Sequence, residues 1–163
     1  MPKYVPVLLI AMIAGFVSYV ALAPKGEAAA NFTVQTLDAQ TFELDAQRGK
    51  PVLVSFWATT CSTCIEEIPH LMELQAAYGD KGLQLLGVAM SYDDIDDVKT
   101  LVGARELNYT IIHDEAGEIA SKLGPVRATP LTLLIDPNGR IVMRNLGYLK
   151  LDELKQQIES YLS

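Results

Sequence analysis

The distribution of apolar and polar residues along the chain predicts strands that alternate with helices. Residues 52–58 are nearly all apolar, which is typical of a central strand covered on both faces. This run passes into apolar residues spaced three or four positions apart, which predicts a helix over residues 62–78. Residues 83–90 form a second apolar run. Because a helix separates the two runs, we expect them to pair in parallel through a right-handed crossover.

The flanking segments complete one domain, which we expect to span residues 31–163. Two alternating pieces within residues 32–44 predict a short hairpin at the domain edge. Two further helices are expected between residue 94 and residue 123. The turn Asp136-Pro-Asn-Gly139 then joins the last two strands, and a final amphipathic helix follows. This order predicts an α/β fold with a mixed central sheet and helices on both faces.

The N-terminal segment predicts export from the cytoplasm. Residues 5–23 carry no charge, and 19 helical residues reach about 30 Å, the thickness of the bilayer's hydrocarbon core. We expect residues 1–23 to be an uncleaved signal anchor in the inner membrane, followed by a linker over residues 24–30. A signal peptide cleaved after Ala30 is the alternative, giving a soluble periplasmic protein. Either reading places the domain in the periplasm or an equivalent extracytoplasmic space.

The net charge of the chain excludes some classes of binding partner. The 163-residue chain has a formal net charge of -7 at pH 7. An acidic protein repels phosphate backbones, so we expect no nucleic-acid partner. The same charge gives no attraction to anionic lipid headgroups. We expect a monomer that acts on other proteins.

The candidate chemistry lies at the junction of the first apolar run and the first helix. Cys61 and Cys64 are the only cysteines in the chain. The junction places the first sulfur at the helix N-terminus and the second one turn along the same face. Unpaired N–H groups and the helix dipole stabilise a thiolate there and lower the pKa of Cys61. The pair predicts a dithiol/disulfide exchange centre.

Two other interpretations of the cysteine pair are weaker. A structural disulfide across so short a loop would restrain the unfolded chain very little. A zinc site would need a second pair of ligands, and only His70 and His113 are available, without the local spacing of a zinc motif. We therefore expect no metal and no cofactor beyond the redox-active disulfide itself.

Two longer motifs surround the candidate site. The first is Gly49-Lys-Pro-Val-Leu-Val-Ser-Phe-Trp-Ala-Thr-Thr-Cys-Ser-Thr-Cys64, followed by Glu66-Glu-Ile-Pro69. The second is Ala128-Thr-Pro-Leu-Thr-Leu-Leu-Ile-Asp-Pro-Asn-Gly-Arg-Ile-Val142. With these motifs the chain resembles proteins of the thioredoxin fold, and more closely the TlpA/ResA group of membrane-tethered thiol–disulfide oxidoreductases. The resemblance covers roughly residues 31–162.

The resemblance implies roles for individual residues. Cys61 would be the attacking thiolate, and Cys64 would resolve the mixed disulfide. The Thr129–Pro130 bond would be cis, against a base rate of only about 5–6% for X–Pro bonds. The backbone of Thr129 would pair with an extended substrate beside Pro130, and Trp57 would contribute to the same surface.

The chain departs from this pattern in its buried carboxylates. By the resemblance, thioredoxins carry an aspartate at the place of Ser55, and ResA-like proteins carry a glutamate at the place of Gln84. The dipeptide Ser62-Thr63 also lacks the proline common before the second cysteine. Glu66 and Glu67 could stand in as bases, although carboxylates on a helix surface are usually solvated.

We expect disulfide exchange in exported proteins. The resemblance favours disulfide reduction, because some members of the family reduce apocytochrome c before haem attachment. A membrane thiol–disulfide electron donor would then be a partner. A disulfide oxidant or isomerase is an alternative. A peroxide-reducing enzyme of related fold is another, although no Pro-x-x-x-Thr-x-x-Cys precedes either cysteine. A copper-binding assembly chaperone would need wider cysteine spacing and a histidine such as His113.

Overall fold

The computed structural model describes residues 12–15 and 26–162. Within those two ranges no helix has both the length and the apolar character needed to cross a membrane. The predicted anchor over residues 1–23 lies outside the described residues, except for residues 12–15, which are helical and exposed.

Eight strands and four helices follow one another within residues 26–162. The strands are β1 (Glu27–Ala28), β2 (Thr33–Gln35), β3 (Thr41–Glu43), β4 (Val52–Trp57), β5 (Gln84–Ala89), β6 (Thr110–His113), β7 (Leu131–Ile135) and β8 (Arg140–Leu146). The helices are α1 (Ser62–Tyr78), α2 (Ile95–Arg105), α3 (Glu118–Lys122) and α4 (Leu151–Leu162). Single 3₁₀ turns occur at Asp45–Gln47 and Gly79–Lys81.

Six of the strands form one mixed sheet in the order β1-β8-β7-β4-β5-β6. β4, β5 and β6 are parallel, whereas β7 is antiparallel to β4, and β8 is antiparallel to β7. β2 and β3 form a separate antiparallel hairpin. The predicted α/β fold with a mixed sheet and an N-terminal hairpin is therefore confirmed.

β4 is buried on both faces, and its alternation defines two apolar layers. Leu53 belongs to the layer beneath α1, where it packs with residues of α1, α2 and α4: Leu71, Leu74, Val98, Leu154 and Ile158. Val54 and Phe56 belong to the opposite layer, under α3 and the hairpin, with Phe32, Phe42, Ile112 and Ile119. Each such side chain contributes about 1.5–3 kcal/mol on burial, so these layers fix the position of the end of β4.

The start of the domain differs from the prediction. Glu27 and Ala28 pair with β8 at the sheet edge, and the Ala29 N–H donates to the Gly139 carbonyl at 2.9 Å. Ala29 is also buried. The predicted linker over residues 24–30 is thus wrong for its last residues, because small side chains there let the backbone add to the exposed edge of β8.

Gly87 on β5 is the residue that admits the indole of Trp57 to the core. A Cβ atom at this position would lie 2.8 Å from Cδ1 of Ile111, 2.9 Å from Cε2 of Tyr109 and 3.2 Å from Nε1 of Trp57. Such distances leave no room for a methyl group. The glycine therefore sets how closely these three side chains approach the sheet.

We expect Gly87→Ala to lower the free energy of unfolding by about 1–3 kcal/mol, because the added methyl group overpacks the core beside Trp57. Urea denaturation followed by tryptophan fluorescence measures this change. Gly103→Ala is the control, since a Cβ at Gly103 on α2 meets nothing within 4 Å. That variant should gain about 0.5–1 kcal/mol from helix propensity. Equal stability of both variants would contradict the packing described for Gly87.

Candidate active site

The two cysteines lie where β4 gives way to α1, as predicted. The Cys61 N–H donates to the carbonyl of Ala58 at 3.1 Å, which turns the chain out of the strand. Cys61 is the N-cap of α1, and its Sγ accepts a hydrogen bond from the Cys64 N–H at 3.2 Å. The first sulfur is therefore placed at the helix N-terminus, where N–H donors and the dipole stabilise negative charge.

The sulfurs of Cys61 and Cys64 form a disulfide, with the two Cα atoms 5.2 Å apart. Cys64 is buried with 3% of its surface exposed, whereas Cys61 is half-buried. An incoming thiol or disulfide can therefore reach Cys61 more readily than Cys64. Within residues 12–15 and 26–162, no cluster of three or more His, Cys, Asp or Glu side chains could hold a metal ion.

The loop before Cys61 is held by Asp93, which follows β5. Asp93 is buried, and its carboxylate accepts the Thr59 N–H at 2.7 Å and the Thr59 hydroxyl at 3.0 Å. Nε2 of His113 lies 3.1 Å from the Asp93 carbonyl oxygen. The sequence analysis did not place Asp93 in the site, and the neighbouring Asp94 caps α2. The signal that we missed is a carboxylate at the carboxyl end of a strand adjacent to β4.

Pro130 directly precedes β7, which flanks β4 on the side opposite β5. The Thr129–Pro130 bond is cis. This confirms the prediction drawn from the resemblance, although cis X–Pro bonds are uncommon in general. Leu131 pairs with Phe56, so Pro130 is positioned next to Trp57 at the carboxyl end of β4. Thr129 is half-buried, and its substrate contact stays a prediction.

Trp57 does not occupy the predicted place on the substrate surface. Only 5% of its surface is exposed, and its indole Nε1 has no hydrogen-bond partner among the described residues. The side chain points into the layer beneath α1, because it lies on the same face of β4 as Leu53. This burial corrects the expected contact between the ring and substrate.

Ser55 and Gln84 are the positions where the resemblance places buried carboxylates in relatives, and they lie in different parts of the sheet. Ser55 is buried on the face of β4 that α1 covers, two residues before Trp57. Gln84 is the first residue of β5 and pairs with Val52 at the far end of the sheet. Five strand residues span roughly 16 Å, so Gln84 is remote from the sulfurs. The sequence comparison that matched Gln84 with a carboxylate near the cysteines, and so made it a candidate for tuning the site, is therefore wrong.

Glu66 and Glu67 have opposite environments. Glu66 is exposed and accepts a hydrogen bond from the Tyr148 hydroxyl. Glu67 is buried with 2% exposure, and its Oε1 accepts the Leu149 N–H at 2.7 Å. Its Oε2 has no hydrogen-bond partner among the described residues. The expectation that both carboxylates are solvated is wrong for Glu67, because the loop between β8 and α4 covers it.

Burial dominates the ionisation of Glu67. Desolvation disfavours the carboxylate and raises the pKa of Glu67, although the Leu149 N–H and the nearby His70 act in the opposite direction. Glu67 follows Cys64 by three residues on α1, a spacing that places Cβ atoms about 5–6 Å apart. A buried carboxyl group with a raised pKa thus lies beside the buried cysteine.

Comparison with known proteins identifies relatives of the whole domain. Residues 25–144 match the AhpC/TSA family. Thiol-disulfide oxidoreductase ResA of Bacillus thuringiensis subsp. konkukian is 33% identical over 137 residues, covering 84% of this chain and 76% of the relative. The protein of the same name from Oceanobacillus iheyensis is 33% identical over 144 residues, covering 85% and 71%.

Solved structures share the fold. The thioredoxin domain of a thiol-disulfide oxidoreductase from Bacteroides vulgatus superposes with a TM-score of 0.72 at 26% identity, covering 86% of this chain and 99% of that one. A secreted Mycobacterium tuberculosis disulfide oxidoreductase homologous to E. coli DsbE superposes with a TM-score of 0.69 at 25% identity, covering 79% and 95%. The arrangement of strands around the cysteine pair is thus that of a thioredoxin-like fold.

We expect Glu67→Gln to change how stability depends on pH. Since the pKa of Glu67 is raised in the folded state, its contribution is fully present below the ordinary carboxyl pKa of about 4.3. It is lost as pH rises toward the folded pKa. Glutamine keeps the acceptor for Leu149 but never ionises. The variant should therefore gain on the order of 1 kcal/mol over the wild type between pH 4 and pH 8.

Urea denaturation at both pH values measures this difference. Glu66→Gln is the matched control, because Glu66 is exposed on the same turn. A stability difference between wild type and Glu67→Gln that stays constant with pH would contradict the raised pKa.

Proposed function

The chain belongs to the AhpC/TSA family and is a ResA-like thiol–disulfide oxidoreductase, and we propose that it works as a disulfide reductase on exported proteins. One observation indicates which sulfur reacts first. Cys61 is half-buried at the N-terminus of α1, whereas Cys64 is buried one turn along the helix. A substrate disulfide can meet the first sulfur but not the second. The exchange therefore has a fixed order.

In the first step the Cys61 thiolate attacks one sulfur of the substrate disulfide. A bond forms between Cys61 and that sulfur, the substrate S–S bond breaks, and the second substrate sulfur leaves as a thiolate that takes a proton from water. In the disulfide form the N–H of Cys64 donates to the Cys61 sulfur, and the same donor would favour the thiolate before attack.

In the second step Cys64 releases the substrate. Its thiol gives up a proton, the resulting thiolate attacks Cys61 Sγ, and the bond between Cys61 and the substrate breaks. Two electrons have then passed from the dithiol to the substrate, and the Cys61–Cys64 disulfide remains. We propose Glu67 as the acceptor of the Cys64 proton, since it is the buried carboxyl group three residues along α1.

Recognition of substrate would use the backbone beside Pro130. The Pro130 carbonyl already accepts the Gly147 N–H at 2.9 Å, so the loop after β8 is tied to the loop before β7. Thr129 remains half-buried and lies next to this tie. We propose that an extended substrate segment pairs with the Thr129 backbone, which would hold its cysteine near Cys61.

We propose that the domain operates outside the cytoplasm. The uncharged residues 5–23 support a membrane anchor. The described domain, which begins by residue 26, would follow this anchor directly. The similar Mycobacterium tuberculosis protein is a secreted disulfide oxidoreductase, which agrees with export. A reductase in this location needs electrons, so a membrane thiol–disulfide electron donor would be its partner. Cysteines of apocytochrome c are the substrate class that the family resemblance favours.

The reduction potential of the Cys61–Cys64 pair tests the direction of transfer. We expect a value near that of thioredoxin, about -270 mV, when the pair is equilibrated with glutathione or dithiothreitol buffers. The fraction of reduced protein is read by alkylation and mass measurement. A value near that of DsbA, about -120 mV, would make the protein an oxidant and reject the reductase assignment.

Trapping tests the order of the two sulfurs. Cys64→Ser should complete the first step but not the second, so cells expressing it should contain covalent adducts between Cys61 and its partners. These adducts appear as reducible high-mass bands after rapid alkylation, and mass spectrometry identifies the partners. Cys61→Ser should trap few or none, since Cys64 is buried.

The variant that lacks both cysteines is the control for adducts formed elsewhere. Equal trapping by the two single variants would show that the roles are assigned wrongly. If neither single variant trapped a partner and both retained wild-type exchange activity, the redox function itself would be rejected.

A further inference from the structure

One row of residues across the sheet is polar on the face that α1 covers. The register pairs Ser55 of β4 with Gly87 of β5 and with Thr132 of β7, and Thr132 pairs with Asn145 of β8. The neighbouring row toward the far end of the sheet is apolar throughout: Leu85, Leu53, Leu134 and Met143. The Ser55 row thus places two buried hydroxyl groups between this apolar row and the row of Trp57 and Ala89 at the carboxyl end of the sheet.

Thr132 is the residue of this row whose burial destabilises the fold. It is fully buried, and its Oγ1 has no hydrogen-bond partner among the described residues. A buried hydroxyl without a partner destabilises a fold. Valine has nearly the same shape and favours strands equally well, so packing alone does not account for a threonine here.

Glu67 carries a second unpartnered buried atom on α1, the helix that covers this face of the sheet. Its Oε1 accepts the Leu149 N–H, whereas its Oε2 is buried and has no hydrogen-bond partner in the described part of the chain. The carbonyl of Tyr148, in the same peptide unit as that N–H, accepts the amide of Asn145 at 3.0 Å. One peptide group thus joins the Glu67 carboxyl group to the residue paired with Thr132.

We propose that Thr132 Oγ1 and Glu67 Oε2 share one buried water molecule, and that Thr132 is thereby a positioning residue for the proton acceptor of the release step. The hydroxyl of Thr132 donates to the water, which donates in turn to Glu67 Oε2. Buried waters occur where polar atoms of this kind would otherwise be unsatisfied. The inference rests on the proposed role of Glu67 in accepting the Cys64 proton.

The distribution of charged groups around Glu67 makes Thr132 a suitable position for a substitution that leaves the local charge unchanged. On its own helix Glu67 is accompanied by Cys64, Glu66 and His70, and the covering loop presents Tyr148, whose hydroxyl donates to Glu66. The sheet side offers only uncharged groups in the polar row. A substitution at Thr132 therefore changes hydrogen bonding to the carboxyl group without adding or removing a charge.

The experiment compares Thr132→Val with Thr132→Ser in the full chain. Valine removes the hydroxyl and keeps the shape, whereas serine keeps the hydroxyl. Infrared spectroscopy of the reduced protein follows protonation of the Glu67 carboxyl group with pH, with Glu67→Gln to assign the band. Stopped-flow mixing measures the release of a small aromatic thiol from a mixed disulfide at Cys61.

We expect Thr132→Val to raise the pKa of Glu67 by about one unit, a tenfold change in its ionisation constant. The acidic limb of the pH profile for thiol release should move upward by the same amount. Thr132→Ser should match the wild type in both measurements. Wild-type values in Thr132→Val would overturn the proposal. Thr132→Ala, which also lacks the hydroxyl, replaces valine if that variant fails to fold.

Glu67→Gln separates this proposal from the proposed function. If Glu67→Gln released thiol with the wild-type pH profile, Glu67 would not be the acceptor, and the proposed release step would fail. The infrared titration would still report whether Thr132 stabilises the Glu67 carboxylate. If Glu67→Gln slowed release while Thr132→Val left both measurements unchanged, only the shared water would be rejected.

Discussion

The site depends on one constraint, the abrupt change from strand to helix after Trp57. Strand pairing stops at the carboxyl end of β4, and the Cys61 N–H instead donates to the carbonyl of Ala58. Because β4 is buried on both faces by two apolar layers, this end cannot move without disturbing both of them. The first sulfur is therefore held at the helix N-terminus by the core of the domain, and its chemical environment follows from that placement.

Three surrounding loops are joined to this junction by polar contacts. Asp93 holds the residue two before Cys61, and the Pro130 carbonyl is tied to Gly147. The loop after Gly147 then reaches α1 through Glu67. Each loop follows or precedes a different strand of the sheet, so the site is assembled from segments far apart in sequence. The fold thus surrounds the short cysteine motif with loops that come from several strands.

The features that could be predicted from the sequence are the local ones. The turn at Asp136 is an example, because its carboxylate accepts N–H groups only two and four residues along the chain. The strand-to-helix junction is another, since it follows from one apolar run and one change of period. The burial of Glu67 could not be predicted, because it is created by a loop that lies about eighty residues later in the chain. The remote position of Gln84 likewise follows from strand register, which the spacing of residues does not give.

The two residues of β1 have a consequence for processing of the chain. They cover the outer side of β8, and the backbone of Ala29 adds a further hydrogen bond at the same edge. A protease that cut after Ala30 would remove this cover together with the leader. β8 would then present unpaired N–H and C=O groups to other molecules, an arrangement that favours edge-to-edge association. If residues 26–30 are retained, the edge of β8 stays covered.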